Sequence, residues 1–278
     1  MIDVDVALFL LAALAYAAST LAHAGCWIGG SRSCERLARP LLLVAVVLHG
    51  AAIAARWIQA GHAPLSNGFE AFSFYAWGLS ALYLAVPSLR RYQVLGVFVT
   101  PLALASILIA SVLPKRIEPL VPVLQSHWLP VHVGISFTAY VLFSLSFVSA
   151  ITYLLQVRAL RHPGRRRGVH RLPSLEALET AQRRTAVAGL VFMTGALLSG
   201  SLWAEKAWGM VWPWEPQQVA SLVTWFIYAA YFFARHNAGW RDRRGAWLLV
   251  GGFVSVIVTF VGADLLMPGS RHSFLFGA

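Results

Sequence analysis

Charge is what this sequence has least of. Only 12% of its 278 residues are Asp, Glu, Lys or Arg, and just 11 are acidic, where a soluble domain carries about a quarter charged residues. With 58% hydrophobic residues and a mean hydropathy of +0.66, that scarcity excludes a water-soluble globule and leaves an integral membrane protein. Cysteine is almost absent as well. Cys26 and Cys34 are the two present and form no Cys-x-x-Cys pair, so thiol–disulfide exchange is not the expected chemistry. The start, Met1-Ile-Asp-Val-Asp5, lacks the basic stretch of a secretory signal, and the apolar run behind it is expected to remain as a first helix. Neither internal repeats nor charged residues at mid-span stand out, features that a repeat-built transporter predicts.

What the chain does have is long apolar stretches. A spanning helix needs about 20 mostly apolar residues, and eight runs supply them, roughly 4–23, 38–57, 69–87, 94–113, 132–156, 185–203, 218–234 and 246–266. The expected fold is all-α, a polytopic helical membrane protein with about eight transmembrane helices in a single integral membrane domain over 1–278. Arginine sets the sides. Seventeen of the 22 Lys and Arg fall in the loops 24–39, 88–93, 157–184 and 235–245, which the positive-inside rule assigns to the cytoplasm. Both termini then lie on the outer side. The net charge of +11 is accounted for by topology, with membrane lipid as its partner and no nucleic acid expected.

The chemistry gathers on the outer face. The loop 204–217, entered from Trp203, holds Trp208, Trp212 and Trp214, and Pro213 and Pro216 break it so that it cannot be one regular helix. Its indoles are expected to form a bent aromatic surface for a planar apolar ligand; an interfacial aromatic belt is the plainer reading. His132 opens the fifth run and His272 follows the eighth, so topology puts two imidazoles beside the tryptophans. A pair of neutral imidazoles suits the axial positions of a haem iron. The sequence has no Cys-x-x-Cys-His attachment motif, so such a haem b would be held non-covalently. His49 lies midway along the second run, where an ionisable residue is either a ligand or relay, or a helix-to-helix hydrogen bond.

These residues also carry a resemblance. Trp208-Gly-Met-Val-Trp212-Pro-Trp214-Glu-Pro216 is similar to the tryptophan-rich WWD signature of haem-handling proteins in cytochrome c maturation. The stretch from Arg56 through Gly61-His62, Pro64 and Ser66-Asn67 to Glu70 resembles a segment of the CcsA/ResC family of the system II pathway, as do His132 with Tyr140 and the tail at His272. The resemblance implies a membrane protein that holds haem between His132 and His272 against Trp208, Trp212, Trp214 and Glu215. It would present the vinyl groups to the Cys-x-x-Cys-His motif of apocytochrome c as a subunit of a haem lyase complex. A CcsB/ResB-like membrane subunit is the implied partner, and the bacterial cytoplasmic membrane the implied location. Glu215 stands where the signature has aspartate, and Phe233 where the family often has an intramembrane histidine. A HemX-type relative that does not ligate cytochromes, and a small-solute transporter, are the competing readings.

Overall fold

Glycine, proline and side-chain caps punctuate the apolar runs, and each run becomes a helix. The computed structural model describes residues 3–30, 32–90, 92–117, 119–120, 125–161 and 172–262. Among them there is no strand. The helices are α1 (Val4–Gly29), α2 (Arg32–Ala60), α3 (Gly68–Ala85), α4 (Pro87–Arg90), α5 (Gln93–Val112), α6 (Trp128–Arg161), α7 (Leu175–Trp208), α8 (Pro216–Asn237) and α9 (Arg243–Ile257), the last continued by a π-helical turn, Val258–Gly262.

The eight long helices fall on the eight apolar runs, and the differences lie at their ends. α6 and α7 each reach 34 residues, because flanking turns such as Ala204-Glu-Lys-Ala207 are made of good helix formers. Pro87 does not simply end α3. It opens the one-turn α4, at the first helical position where a missing N–H is harmless. By length and composition α1, α2, α5, α6, α7 and α9 with its π turn are long and apolar enough to cross a membrane. At 18 and 22 residues α3 and α8 fall outside that set; Gln217, Gln218, Arg235 and His236 dilute the apolar character of α8. The protein is a multi-pass helical membrane protein.

The chain divides into two compact units, the first comprising residues 1–64, 69–118 and 155–177, the second 65–68, 119–154 and 178–278. In the first, α1 and α2 lie together along their lengths with α5 against α1. The buried side chains of α1 are Asp5, Phe9, Ala12, Tyr16, Ser19 and His23. Those of α2 include Ala38, Leu42, Ala45, His49, Ala52 and Arg56. Both sets step by four and three residues alternately, which keeps one face of each helix turned to the other. The alanines let the backbones approach. The polar members meet in antiparallel order. Ser19 Oγ donates to the Ala38 carbonyl at 2.9 Å, His49 Nδ1 lies 3.5 Å from the Tyr16 hydroxyl, and Arg56 Nη1 reaches Asp5 Oδ2 at 3.0 Å.

The second unit is built differently. At its centre the rings of Phe143 on α6 and Tyr228 on α8 stack with centroids 3.6 Å apart. Gly189 of α7 faces the Phe143 ring so closely that a Cβ would come within 2.5 Å of it, and a Cβ on Gly252 of α9 would fall 2.9 Å from the Tyr228 ring. Two rings between two glycines thus set the spacing of four helices. Hydroxyls finish the join of α8 to α9: Thr224 bonds Ser255, and lies 3.0 Å from Thr259 in the π turn.

Candidate functional site

Helix α7 ends in an aromatic cluster. Gly209, with φ of 71°, terminates the helix, its N–H bonding the Glu205 carbonyl at 2.8 Å; a left-handed residue just past the last turn is the usual glycine stop. The helix therefore runs five residues beyond Trp203, where the apolar run was expected to end, and Trp203 and Trp208 sit on its final turns. Their rings meet edge to face with centroids 4.8 Å apart. Trp203 is only 2% exposed and forms a small core with Leu129, around which Leu120, Trp128, Val133, Ala207 and Trp208 pack.

Beyond Gly209 the backbone leaves helical geometry, as Pro213 and Pro216 dictate. Trp212 and Trp214 also pack edge to face, 6.0 Å apart at 86°. Trp214 is 71% exposed, and among the described residues it is the one non-glycine with positive φ, 57°. A left-handed tryptophan costs roughly 1–2 kcal/mol, and strain of this kind collects at binding sites. Glu215 then caps α8 with extended backbone, φ −63° and ψ 146°, ahead of Pro216 at the first helical position. Gln218 Oε1 accepts from the Glu215 backbone N–H at 3.3 Å and the Glu215 carboxylate accepts from the Gln218 backbone in return. This reciprocal capping box makes Glu215 a brace for the loop.

His132 lies one turn inside α6, which begins at Trp128 and takes Pro130 in its first turn. Its Nδ1 is 3.0 Å from the Ala196 carbonyl on α7 and 3.4 Å from Ser199 Oγ. A carbonyl only accepts, so Nδ1 carries the proton and Nε2 holds the lone pair. Gly200 leaves room for the ring: a Cβ there would fall 2.7 Å from its Cε1. The imidazole lies nearly parallel to the Trp203 indole, 9° apart with centroids at 6.2 Å.

The first unit holds a separate polar cluster. Arg56 donates through Nε to Glu70 at 2.7 Å and through Nη1 to Asp5, while Nη1 and Nη2 also reach the carbonyls of Lys115 and Arg116 at 2.9 and 3.1 Å. All three charged side chains are buried, at 3% exposure, and the Phe69 ring lies 4.9 Å under the guanidinium. One arginine thus ties α1, α2, α3 and the segment after α5.

Residues 65–270 match the family described as Cytochrome C assembly protein. The chain belongs to that family. Cytochrome c biogenesis proteins CcsA from two Synechococcus strains, CC9605 and CC9902, are 32% and 33% identical to it, each comparison covering 89% of this chain and 90% of the relative. The CcsA protein of Prochlorococcus marinus NATL1A is 32% identical over 96% of this chain and 91% of its own. Among solved structures, a chain titled cytochrome c haem lyase CcmF superposes with a TM-score of 0.65 at 16% identity over 97% of this chain, which spans 52% of that longer chain. The shared feature there is the fold. Membership in the cytochrome c assembly family places this protein in cytochrome c biogenesis.

A haem demands an uncommitted imidazole nitrogen and a flat apolar wall. In this member of the family His132 Nε2 makes no hydrogen bond among the described residues, and its ring lies parallel to Trp203, which in turn packs on Trp208, so the residues present fit the group. Trp208, Trp212, Trp214 and Glu215 lie in one short segment, and His132 belongs to the same unit, against Trp203 at the end of α7. His272 lies outside the described residues. His49 belongs to the first unit, wholly buried, with Nε2 2.7 Å from Ser73 Oγ and Nδ1 toward Tyr16, the helix-to-helix hydrogen bond that the sequence allowed. The sequence alone left Ala196, Ser199, Gly200 and Trp128 out of the candidate site, and the sequence signal for the first three was there: small residues one and two helical turns before Trp203.

Proposed function

We propose that this family member binds haem b non-covalently at the outer face of a bacterial cytoplasmic membrane. It presents the haem to apocytochrome c alongside a CcsB/ResB-type subunit. The observation that carries this reading is His132, whose Nδ1 proton is committed to Ala196 and whose Nε2 lone pair is left for a metal. Haem, when bound, supplies the vinyl groups to which the substrate's thiols add. The chain's own residues orient rather than react. Ala196 and Gly200 fix the imidazole plane, Trp208, Trp212 and Trp214 offer apolar faces that exclude water, and the Glu215 cap holds the loop in place. Fixing the reacting partners in this way is catalysis by proximity, and no nucleophile of this chain is required. His272 would be the second histidine to hold the iron.

The test is the visible spectrum of the detergent-purified protein, oxidised and dithionite-reduced. A b-type spectrum that weakens in both His132→Ala and His272→Ala is the expected result. A spectrum unchanged in His132→Ala would sink the reading, and a protein without haem even when made with its partner would turn it toward the non-ligating HemX-type relative.

A further inference from the structure

At the ends of α7 and α8 remote from the tryptophan loop lies an open cavity of about 410 Å³, lined by Arg183, Val187, Phe232, Arg235, His236 and Arg241. Volumes of this size hold small-molecule groups. Three guanidiniums converge here and one acid answers them: Arg235 Nη2 lies 2.6 Å from Glu179 Oε1. Arg183 and Arg241 make no salt bridge among the described residues, so two cations are left facing the cavity. Arg235 and His236 stand in the last turn of α8, where cations offset the helix dipole. That role explains those two residues and leaves Arg183 and Arg241 to another.

The surroundings say what kind of anion fits. From Val187 at the cavity an exposed stripe runs up α7 through Val191, Thr194 and Leu198, spaced four, three and four residues so that it occupies one face. On α8 the exposed Phe226 and Phe233 continue the apolar surface beside it. A free phosphate would need only the arginines. An amphiphile with an anionic head and extended chains would use both the cavity and the stripes. Haem would ask for an iron ligand in the apolar part, where Phe232 and Phe233 offer none; the one imidazole of the lining, His236, stands with the arginines at the polar end of α8.

We propose that this cavity is a headgroup site for an anionic phospholipid, with the phosphate held by Arg183 and Arg241 and the acyl chains along the exposed faces of α7 and α8. Guanidiniums suit phosphate because their forked donors match its oxygens. Basic pockets between spanning helices on the arginine-rich side are where such lipids are held. Glu179 competes for Arg235 and so weakens the site.

The experiment uses the whole detergent-purified protein and soluble short-chain lipids: dihexanoyl phosphatidylglycerol, the zwitterionic dihexanoyl phosphatidylcholine, inorganic phosphate and haemin, with binding read by native mass spectrometry and thermal shift. Phosphatidylglycerol should bind and stabilise. The double variant Arg183→Gln/Arg241→Gln, two exposed positions, should weaken it by roughly tenfold or more. Glu179→Gln should tighten it, an opposite change that a merely damaged fold would not give. Equal binding of phosphatidylcholine, equal binding of phosphate alone, loss of haemin but not lipid in the arginine variant, or an unchanged lipid affinity in both variants would each overturn the proposal.

Discussion

In the first unit helices meet through polar groups, with Asp5 on Arg56, Ser19 on a carbonyl and His49 on Ser73. In the second the centre is set by shape, with Phe143 and Tyr228 stacked between Gly189 and Gly252. Lipid tails are as apolar as a leucine, so burying apolar surface does little to bring spanning helices together. What remains is hydrogen bonding and close packing: buried polar pairs dominate the first unit, while ring-on-glycine packing sets the centre of the second and hydroxyl bonds such as Thr224 to Ser255 add to it. The unit that carries His132 and the tryptophan loop relies on packing, which fixes ring positions within narrow limits. That suits the orienting role proposed for this site.

Substitutions of charge should therefore damage the first unit and substitutions of size the second. Arg56→Ala strips the shared cation from two buried carboxylates, and losing one partner of a buried pair costs about 3–5 kcal/mol; unfolding of the purified protein in denaturing detergent should show it. A loss under 1 kcal/mol would mean that the polar cluster is incidental. Gly189→Val forces a side chain into the Phe143 ring, an overpacking worth about 1–3 kcal/mol. Because it moves α6 against α7 it should also lower haem content, whereas Arg56→Ala, assayed below its unfolding transition, should not. Equal haem loss in both would erase the distinction between the units. Glu215→Ala removes the cap of α8 for about 1 kcal/mol, and tryptophan fluorescence should report a looser loop around Trp214. Ser73→Ala, which takes one hydrogen bond from His49, should cost the least, about 0.6 kcal/mol by analogy with other interhelical bonds, with haem content unchanged; a fall in haem content would make His49 part of the site.

Much of this was legible in the sequence. Apolar run length located the eight long helices, and the proline-broken tryptophan segment together with His132 supplied the candidate site, since residue type and spacing alone bear on both. The extension of α7 to Trp208 was harder to see, because Glu205 and Lys206 read as loop by polarity while they continue the helix by propensity. Arg56 and Glu70 were visible as a pattern, but Asp5, fifty-one positions before Arg56, could be assigned to them only by the antiparallel pairing of α1 with α2. Ala196 and Gly200 escaped notice for a related reason: a backbone carbonyl and the absence of a Cβ leave little trace in a list of chemically active residues.

The alternating steps of four and three on α1 and α2 also fix a handedness. A mean of 3.5 residues per turn falls short of the helical 3.6, a drift of about 20° every seven residues. The stripe from Asp5 to His23 stays on its partner only if the two helices wind around each other to the left. A single residue inserted between Phe9 and Tyr16 would turn everything on one side of it by about 100°, carrying either Asp5 and Phe9 or Ser19 and His23 out of the interface and into lipid. The length of α1, and not only its composition, is therefore under constraint, and substitutions along it should be tolerated far better than insertions.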